Sequence, residues 1–243
     1  KKVRKGGVLK LKEIPVNTYD KSLKDELKSN PDITPAACYR VYRDMVLIRE
    51  FETMLDQIKR FGAYEGIEYK HAGPAHLSIG QEGAAVGESF YLSVDDHIYG
   101  SHRSHGEIIA KSLRAVYDLK GADLRKIMEE YFSGTILKII ESNEPNWDAL
   151  VAGGSGKKAA FASDAEEEVG VDFVLYGLLA EIFGRETGFN KGMGGSMHAF
   201  FTPFGVFPNN AIVGGSGDIA TGSALFKKAL AKKGVTIANI GDA

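Results

Sequence analysis

Between positions 184 and 222 the chain carries ten of its 29 glycines, and this stretch runs into a helical segment and then a short apolar one. Glycine at that density lets the backbone take positive φ and approach other groups closely. The segment therefore restricts the chain to folds in which a tight loop feeds packed, regular elements. Ser223 to Lys233 reads as a helix, and the mostly apolar run Val235 to Ile240 as a buried parallel strand that ends at Gly241-Asp242-Ala243. Upstream the same alternation recurs. Thr34-Pro35 caps and opens a helix with Phe51, Met54, Leu55 and Ile58 at helical spacing, and Gly62 closes it. Residues 62–77 form a loop rich in glycine, tyrosine and histidine. Ser78-Ile79-Gly80-Gln81 has capping-box spacing and predicts a helix to about Leu92. The Asp95-Asp96 turn leads to a strand at His97-Ile98-Tyr99, a helix over Ser104 to Leu113 and a further helical stretch over 122–141. Residues 142–170, including the acidic run Glu166 to Glu168, read as a long loop, and 171–183 as an apolar helix. Strands alternating with helices define an α/β layer fold, in which ligands sit outside the carboxyl ends of the strands. Gly241-Asp242-Ala243 is thus delivered to where a ligand binds.

Composition narrows the class of function. The 243 residues hold 44% apolar and 26% charged side chains with a net charge of -2, which is ordinary for a globular protein and offers no basic face to nucleic acid. Cys38 is the single cysteine and reads as a buried structural thiol, so disulfide frameworks and thiolate metal cages are excluded and a reducing compartment is expected. No run of about 18 apolar residues marks a membrane span, and no secretory signal is present. The chain does not begin with methionine, so a missing N-terminus is expected.

Four constellations can carry chemistry. Five of six histidines fall between positions 71 and 105, flanking Arg103, and the sixth is His198. Histidine suits proton handling and hydrogen bonding to anions near neutral pH. His102 and His105, three apart, raise a zinc alternative, but no third and fourth ligand follows at a suitable spacing. Gly192-Met193-Gly194-Gly195-Ser196-Met197-His198 is a close-approach loop. Asn209-Asn210-Ala211-Ile212-Val213-Gly214-Gly215-Ser216-Gly217 precedes a helix, where free amides and the helix dipole favour an anion. Its spacing fits neither the dinucleotide fingerprint nor the phosphate-loop pattern. Last, Asp242 after a strand can ligate a hard cation that in turn bridges phosphates.

In this order the motifs resemble the α subunit (E1α) of the thiamine-diphosphate-dependent 2-oxo acid dehydrogenases of the pyruvate, branched-chain and acetoin type. The resemblance rests on His76-Leu77-Ser78-Ile79-Gly80-Gln81-Glu82, His102-Arg103-Ser104-His105-Gly106, Gly194-Gly195-Ser196-Met197-His198, Ala211-Ile212-Val213-Gly214 and Gly241-Asp242-Ala243. It covers roughly residues 34–113 and 184–243. It implies an α/β thiamine-diphosphate-binding fold, a mostly parallel sheet with helices on both faces, cut within the domain. Residues 1–33 are then an N-terminal extension, and 34–243 a cofactor-binding domain incomplete at its C-terminus with 114–183 as an insertion.

By the same resemblance, the cofactors are thiamine diphosphate and Mg2+. Arg103 and His102 contact the diphosphate, Ala211, Val213 and Gly214 line the aminopyrimidine, and Gly241, Asp242 and Ala243 form the metal loop with Asp242 as the metal ligand. His76, His105 and His198 are the catalytic candidates. The implied reaction is oxidative decarboxylation of a small 2-oxo acid, with acyl transfer to a lipoyl-bearing acyltransferase. The implied assembly is an α2β2-type oligomer with a β subunit, or a fused β half, that supplies the activating glutamate. The expected location is the cytoplasm, or the mitochondrial matrix in a eukaryote. Hydroxyketone cleavage of the acetoin type and a non-catalytic scaffold are the alternatives. The chain departs from the family at His102, where tyrosine is usual, at Ser216-Gly217-Asp218, where a Gln-x-Pro run is common, and in the length of 114–183.

Overall fold

A computed structural model describes residues 21–69, 73–119, 121–142 and 165–241 of the chain. Backbone packing divides the chain into two compact units, residues 1–38 and 39–243. The described part of the first unit holds helix α1 (Leu23–Ser29), closed by a reciprocal capping box between Ser22 and Asp25, and the opening of helix α2 (Pro35–Phe61). Thr34 Oγ1 accepts from the Ala37 N–H at 3.1 Å, the cap that the Thr-Pro pair predicts. Cys38 is half-exposed rather than buried.

The second unit is α/β. In α2, Ile48, Phe51, Leu55 and Ile58 form the buried stripe, and Gly62 ends the helix at φ 71°. The expected loop after it contains a small hairpin, β1 (Ala63–Tyr64) and β2 (Ile67–Glu68). Its turn residues Glu65 and Gly66 both have positive φ, which matches the right-handed strand twist. Helix α3 (Glu82–Ser89) starts later than the capping-box spacing predicts. Ser78 is 2% exposed and caps nothing; its Oγ accepts from the Gly106 N–H at 3.0 Å, a tertiary contact that outcompetes the local one.

Strand β3 (His97–Tyr99) lies at the centre of a parallel sheet, with β4 (Val206–Phe207) on one side and β5 (Thr236–Ala238) on the other. Ile98 is opposite both Val206 and Ile237, and Ile98 and Val206 are each 1% exposed, so the register is set by apolar burial. Between β3 and β4 run α4 (His105–Asp118), α5 (Gly121–Glu130), a 3-10 turn over Tyr131–Gly134, α6 (Thr135–Ser142) and α7 (Ala165–Ile182). The helical stretch expected over 122–141 is observed, as two helices joined by the 3-10 turn rather than as one. Phe132 and Ser133 take positive φ and break it, and Tyr131 turns into an aromatic cluster with Phe173, Phe189 and Phe201. Glu166 to Glu168 lie in the first turn of α7 rather than in a loop, where carboxylates complement the helix dipole; Glu166 also pairs with Arg125 at 3.2 Å. The remainder of that expected loop, 143–164, lies outside the described residues.

Helix α4 is the centre of the core, packed against α3 and α7. Gly170 of α7 permits that packing, since a Cβ there would lie 2.9 Å from Val116 Cγ1 of α4, and Gly177 lets the chain after α7 fold back on it, since a Cβ there would lie 2.2 Å from the Phe189 ring. Helix α8 (Gly215–Ala229) connects β4 to β5 and packs on β3 and β5. It begins eight residues before the expected Ser223, so Gly215, Gly217 and Gly222 are helical. With strand order β4-β3-β5, the chain crosses from β3 to β4 on one side and then past β3 to β5 on the other. Connections from β3 and from β4 thus run in opposite directions across the sheet, and the region outside the carboxyl ends of such strands is where sheets of this kind bind ligands.

Candidate active site

Because the three strands are parallel, the loops after β3, β4 and β5 emerge at one end of the sheet and are stitched together there. Asn239 N–H donates to Tyr99 O at 2.8 Å, Asn210 N–H to Gly100 O at 3.1 Å, and Gly214 N–H to Ile240 O at 2.9 Å. Ser216 Oγ donates to Gly100 O at 2.6 Å. The buried Asn209 side chain donates to Ser104 Oγ at 2.6 Å and Ser101 O at 3.3 Å. Gly241, at φ 85°, lies against the loop after β3: a Cβ there would lie 3.1 Å from Ser101 Cβ and 3.5 Å from His102 Nδ1. This close approach explains the glycine before Asp242. Asp242 and Ala243 themselves lie outside the described residues, as does His71.

On this end sits a group of basic side chains. The half-buried His76 ring packs edge-on to His102, with centroids 5.1 Å apart. Arg103 Nη1 donates to Leu77 O at 3.2 Å, which ties the His76 segment to the loop after β3. Burial, reinforced by His102, Arg103 and Lys59, pushes the His76 pKa below the usual histidine range. Lys59 is held nearby by Ala75 O at 3.1 Å. His198 is exposed, with Nδ1 3.4 Å from Asn209 O. Ile212 and Val213, 72% and 48% exposed, present apolar surface beside Gly214, and Ala211 is half-buried.

Two expectations are corrected. His105 does not face the crevice. It is 0% exposed, with Nδ1 2.7 Å from Glu52 and Nε2 2.8 Å from Ser196 Oγ, so both ring nitrogens are engaged in the interior. The glycines before α8 do not offer their amides to an anion either. The Gly214, Gly215 and Gly217 N–H groups donate to Ile240, Ile212 and Gly214 carbonyls. Here glycine serves close packing, since a Cβ on Gly215 would lie 2.5 Å from Asn210 Nδ2.

Several organising residues escaped the sequence reading. Glu181 is fully buried and accepts from the N–H groups of Asn190, Gly192, Gly194 and Gly195 at 2.5–3.2 Å, so the glycine-rich loop wraps an internal carboxylate. Glu52 plays a similar part for His105. Glu107 of α4 faces Glu88 of α3, and burial, with Glu88 second, raises its pKa to about 8. Asn239 lies between the two, donating to Glu88 at 3.0 Å. Only the acidic residues' positions on helices were readable in advance, and helix position alone does not separate them from solvated carboxylates.

Among the described residues no three His, Cys, Asp or Glu side chains gather to hold a metal ion. A guanidinium and two imidazoles over a glycine-lined backbone, with exposed apolar side chains alongside, do suit a phosphorylated ligand with a flat ring. The fold and this crevice thus define an α/β protein whose basic side chains gather at the carboxyl ends of its parallel strands. No protein-family model matches the chain. Curated relatives do. The chain is 29% identical over 202 residues, 83% of its length, to the α subunit of the acetoin:2,6-dichlorophenolindophenol oxidoreductase of Bacillus subtilis. It is 25% identical over 84% of its length to the pyruvate dehydrogenase E1 component subunit α of Rhizobium meliloti. The same identity over 87% holds for the mitochondrial pyruvate dehydrogenase E1 component subunit α of Schizosaccharomyces pombe. The chain is therefore similar to E1α subunits, as its motifs indicate, and spans 35–40% of the length of these three relatives.

Proposed function

We propose that this chain supplies the diphosphate side of a thiamine-diphosphate and Mg2+ site in an oxidoreductase that decarboxylates a small 2-oxo acid and transfers the acyl group to a lipoyl-bearing acyltransferase. The observation that carries this reading is the convergence of His76, His102, Arg103 and Gly241 at the carboxyl ends of three parallel strands. When bound, thiamine diphosphate supplies the carbanion chemistry. The chain's own contribution is electrostatic and positional. Arg103 and His102 would hold the diphosphate, Ile212 and Val213 would offer apolar surface to the ring portion, and Asp242 would ligate the metal. His76 and His198 would serve the reacting end, where His76, held below the usual histidine range by burial and neighbouring positive charge, could accept a proton.

A β subunit completes the site in this reading, in an α2β2-type assembly. The exposed apolar side chains Ile219, Leu225, Phe226 and Leu230, on or next to α8, support a polypeptide partner on that side. No helix among the described residues is long and apolar enough to cross a membrane, and we place the assembly in the cytoplasm or the mitochondrial matrix. A hydroxyketone substrate is the second reading, favoured by the acetoin name of the 29% identical relative. Titration calorimetry of the chain with its β partner, with thiamine diphosphate and with or without Mg2+, tests the proposal. Mg2+-dependent binding is expected; its absence leaves a non-catalytic scaffold. Dye-reduction assays with pyruvate, branched 2-oxo acids and acetoin then separate the substrates.

A further inference from the structure

Glu52 is a carboxylate in the interior, 0% exposed, and among the described residues no lysine or arginine pairs with it. Burying such a group costs several kcal/mol unless its lone pairs are answered. They are answered by two donors from different parts of the chain. Oε1 is 2.7 Å from His105 Nδ1, and Oε2 accepts from the Ser78 N–H at 2.8 Å. Each donor continues the connection. Ser78 Oγ accepts from the Gly106 N–H at 3.0 Å, which fixes the 76–78 segment to the start of α4. His105 Nε2 lies 2.8 Å from Ser196 Oγ and 3.2 Å from Ser196 O, and Ser196 is 5% exposed.

One carboxylate thereby holds three segments in register: the one carrying His76, the one carrying His102 and Arg103, and the one carrying His198. Each ligand-facing side chain is two or three residues from a braced position, whereas Glu52 and His105 are themselves inaccessible. We propose that Glu52 is a positioning residue of the candidate site, setting the tautomer of His105 and, through His105 and Ser78, the spacing of the three loops. This rests on the functional reading above.

The hydrogen-bond inventory makes the proposal specific. An ionised Glu52 accepts from both Ser78 N–H and His105 Nδ1–H, which leaves Nε2 to accept the Ser196 hydroxyl proton. Glutamine at position 52 has one acceptor oxygen and one NH2. If its oxygen keeps the Ser78 N–H, its NH2 faces His105 Nδ1, and the imidazole must move its proton to Nε2 to accept that bond. His105 Nε2–H then donates to Ser196 O or Oγ, and the loop ending at His198 is held through a reversed bond.

The test uses Glu52→Gln in the chain with its β partner. NMR of nitrogen-labelled histidines reports the tautomer, hydrogen exchange reports residues 76–78, 102–106 and 194–198, and calorimetry reports thiamine diphosphate with Mg2+. The expected result is a folded protein with the His105 proton on Nε2, faster exchange in all three segments and about tenfold weaker cofactor binding. An unchanged tautomer with unchanged exchange overturns the proposal. If wild-type protein binds no cofactor, the functional reading fails, while tautomer and exchange still decide the brace. If Glu52→Gln does not fold, Ser196→Ala removes only the last link. It should speed exchange in 194–198 alone, and unchanged exchange there overturns the proposal.

Discussion

Replacing Glu107 with glutamine should stabilise the protein at alkaline pH. Glu107 sits between α4 and α3 facing Glu88, and no lysine or arginine is among the groups acting on it. Burial first, and then the Glu88 charge, raise its pKa from an ordinary 4.5 to about 8; burial also raises Glu88. Its Oε2 has no hydrogen-bond partner among the described residues, so no donor stabilises the ionised form at that oxygen. The sign follows from linkage. A carboxyl whose folded pKa is raised holds its proton in the native state and loses it in the unfolded chain. Stability is therefore complete below about pH 4.5 and declines as pH rises through about 8, by at most about 1.4 kcal/mol per unit. The ceiling across that window is about 5 kcal/mol, and partial access of water to the carboxyl reduces it to about 2–3 kcal/mol. Glutamine at position 107 keeps an acceptor for Asn239 and the Ser101 N–H, gives Glu88 a donor, and has no proton to lose. Urea denaturation followed by circular dichroism at about pH 5.5 and 8, at constant ionic strength, measures both proteins. Glu107→Gln should lose less stability across that interval by about 2 kcal/mol. Parallel losses in the two proteins would refute the buried acid pair.

Arg103→Ala should weaken thiamine diphosphate binding by about 1.5–3 kcal/mol, the range for a hydrogen bond to a charged group, as read by calorimetry with Mg2+; unchanged affinity removes Arg103 from the site. Gly177→Ala would place a methyl 2.2 Å from the Phe189 ring, and overpacking of this kind costs about 1–3 kcal/mol, visible as a lowered Tm. An unchanged Tm would show that the α7 contact is slack. Because His102, Arg103 and Lys59 help hold the His76 pKa down, inorganic pyrophosphate bound between them should move it up. NMR titration of His76 with and without pyrophosphate measures this, and a downward or absent shift argues against an anion there.

The parts legible in the sequence were those with local causes. The Thr34-Pro35 start, the α2 stripe and strands β3 and β5 follow from capping chemistry and from periods of about 3.6 and 2, and the structure has them close to where the pattern puts them. Ser78 misled because its hydroxyl had two possible uses. The spacing to Gln81 favoured a cap, while the Gly106 N–H, 28 positions away, takes the bond. The histidines misled in the same way. His76 and His105 carry the same imidazole, and only Glu52, 53 positions before His105, turns one of them inward. The break at Phe132 and Ser133 has no glycine or proline at either position to announce it.

The glycine-rich loop shows how an anion-site signature can be spent internally. Free amides from Asn190, Gly192, Gly194 and Gly195 point at one carboxylate, as they would at a phosphate, but that carboxylate is Glu181 of the protein itself. The arrangement has an electrostatic consequence. Glu181 and Glu52 are both fully buried, and each is saturated by donors behind the crevice. Their negative charge is thus answered by hydrogen bonds inside the protein, while His76, His102, Arg103 and Lys59 gather around the loop after β3. Internal carboxylates thus fix the loops: Glu181 gathers four backbone N–H groups of the glycine-rich loop, and Glu52 ties the Ser78 N–H to His105.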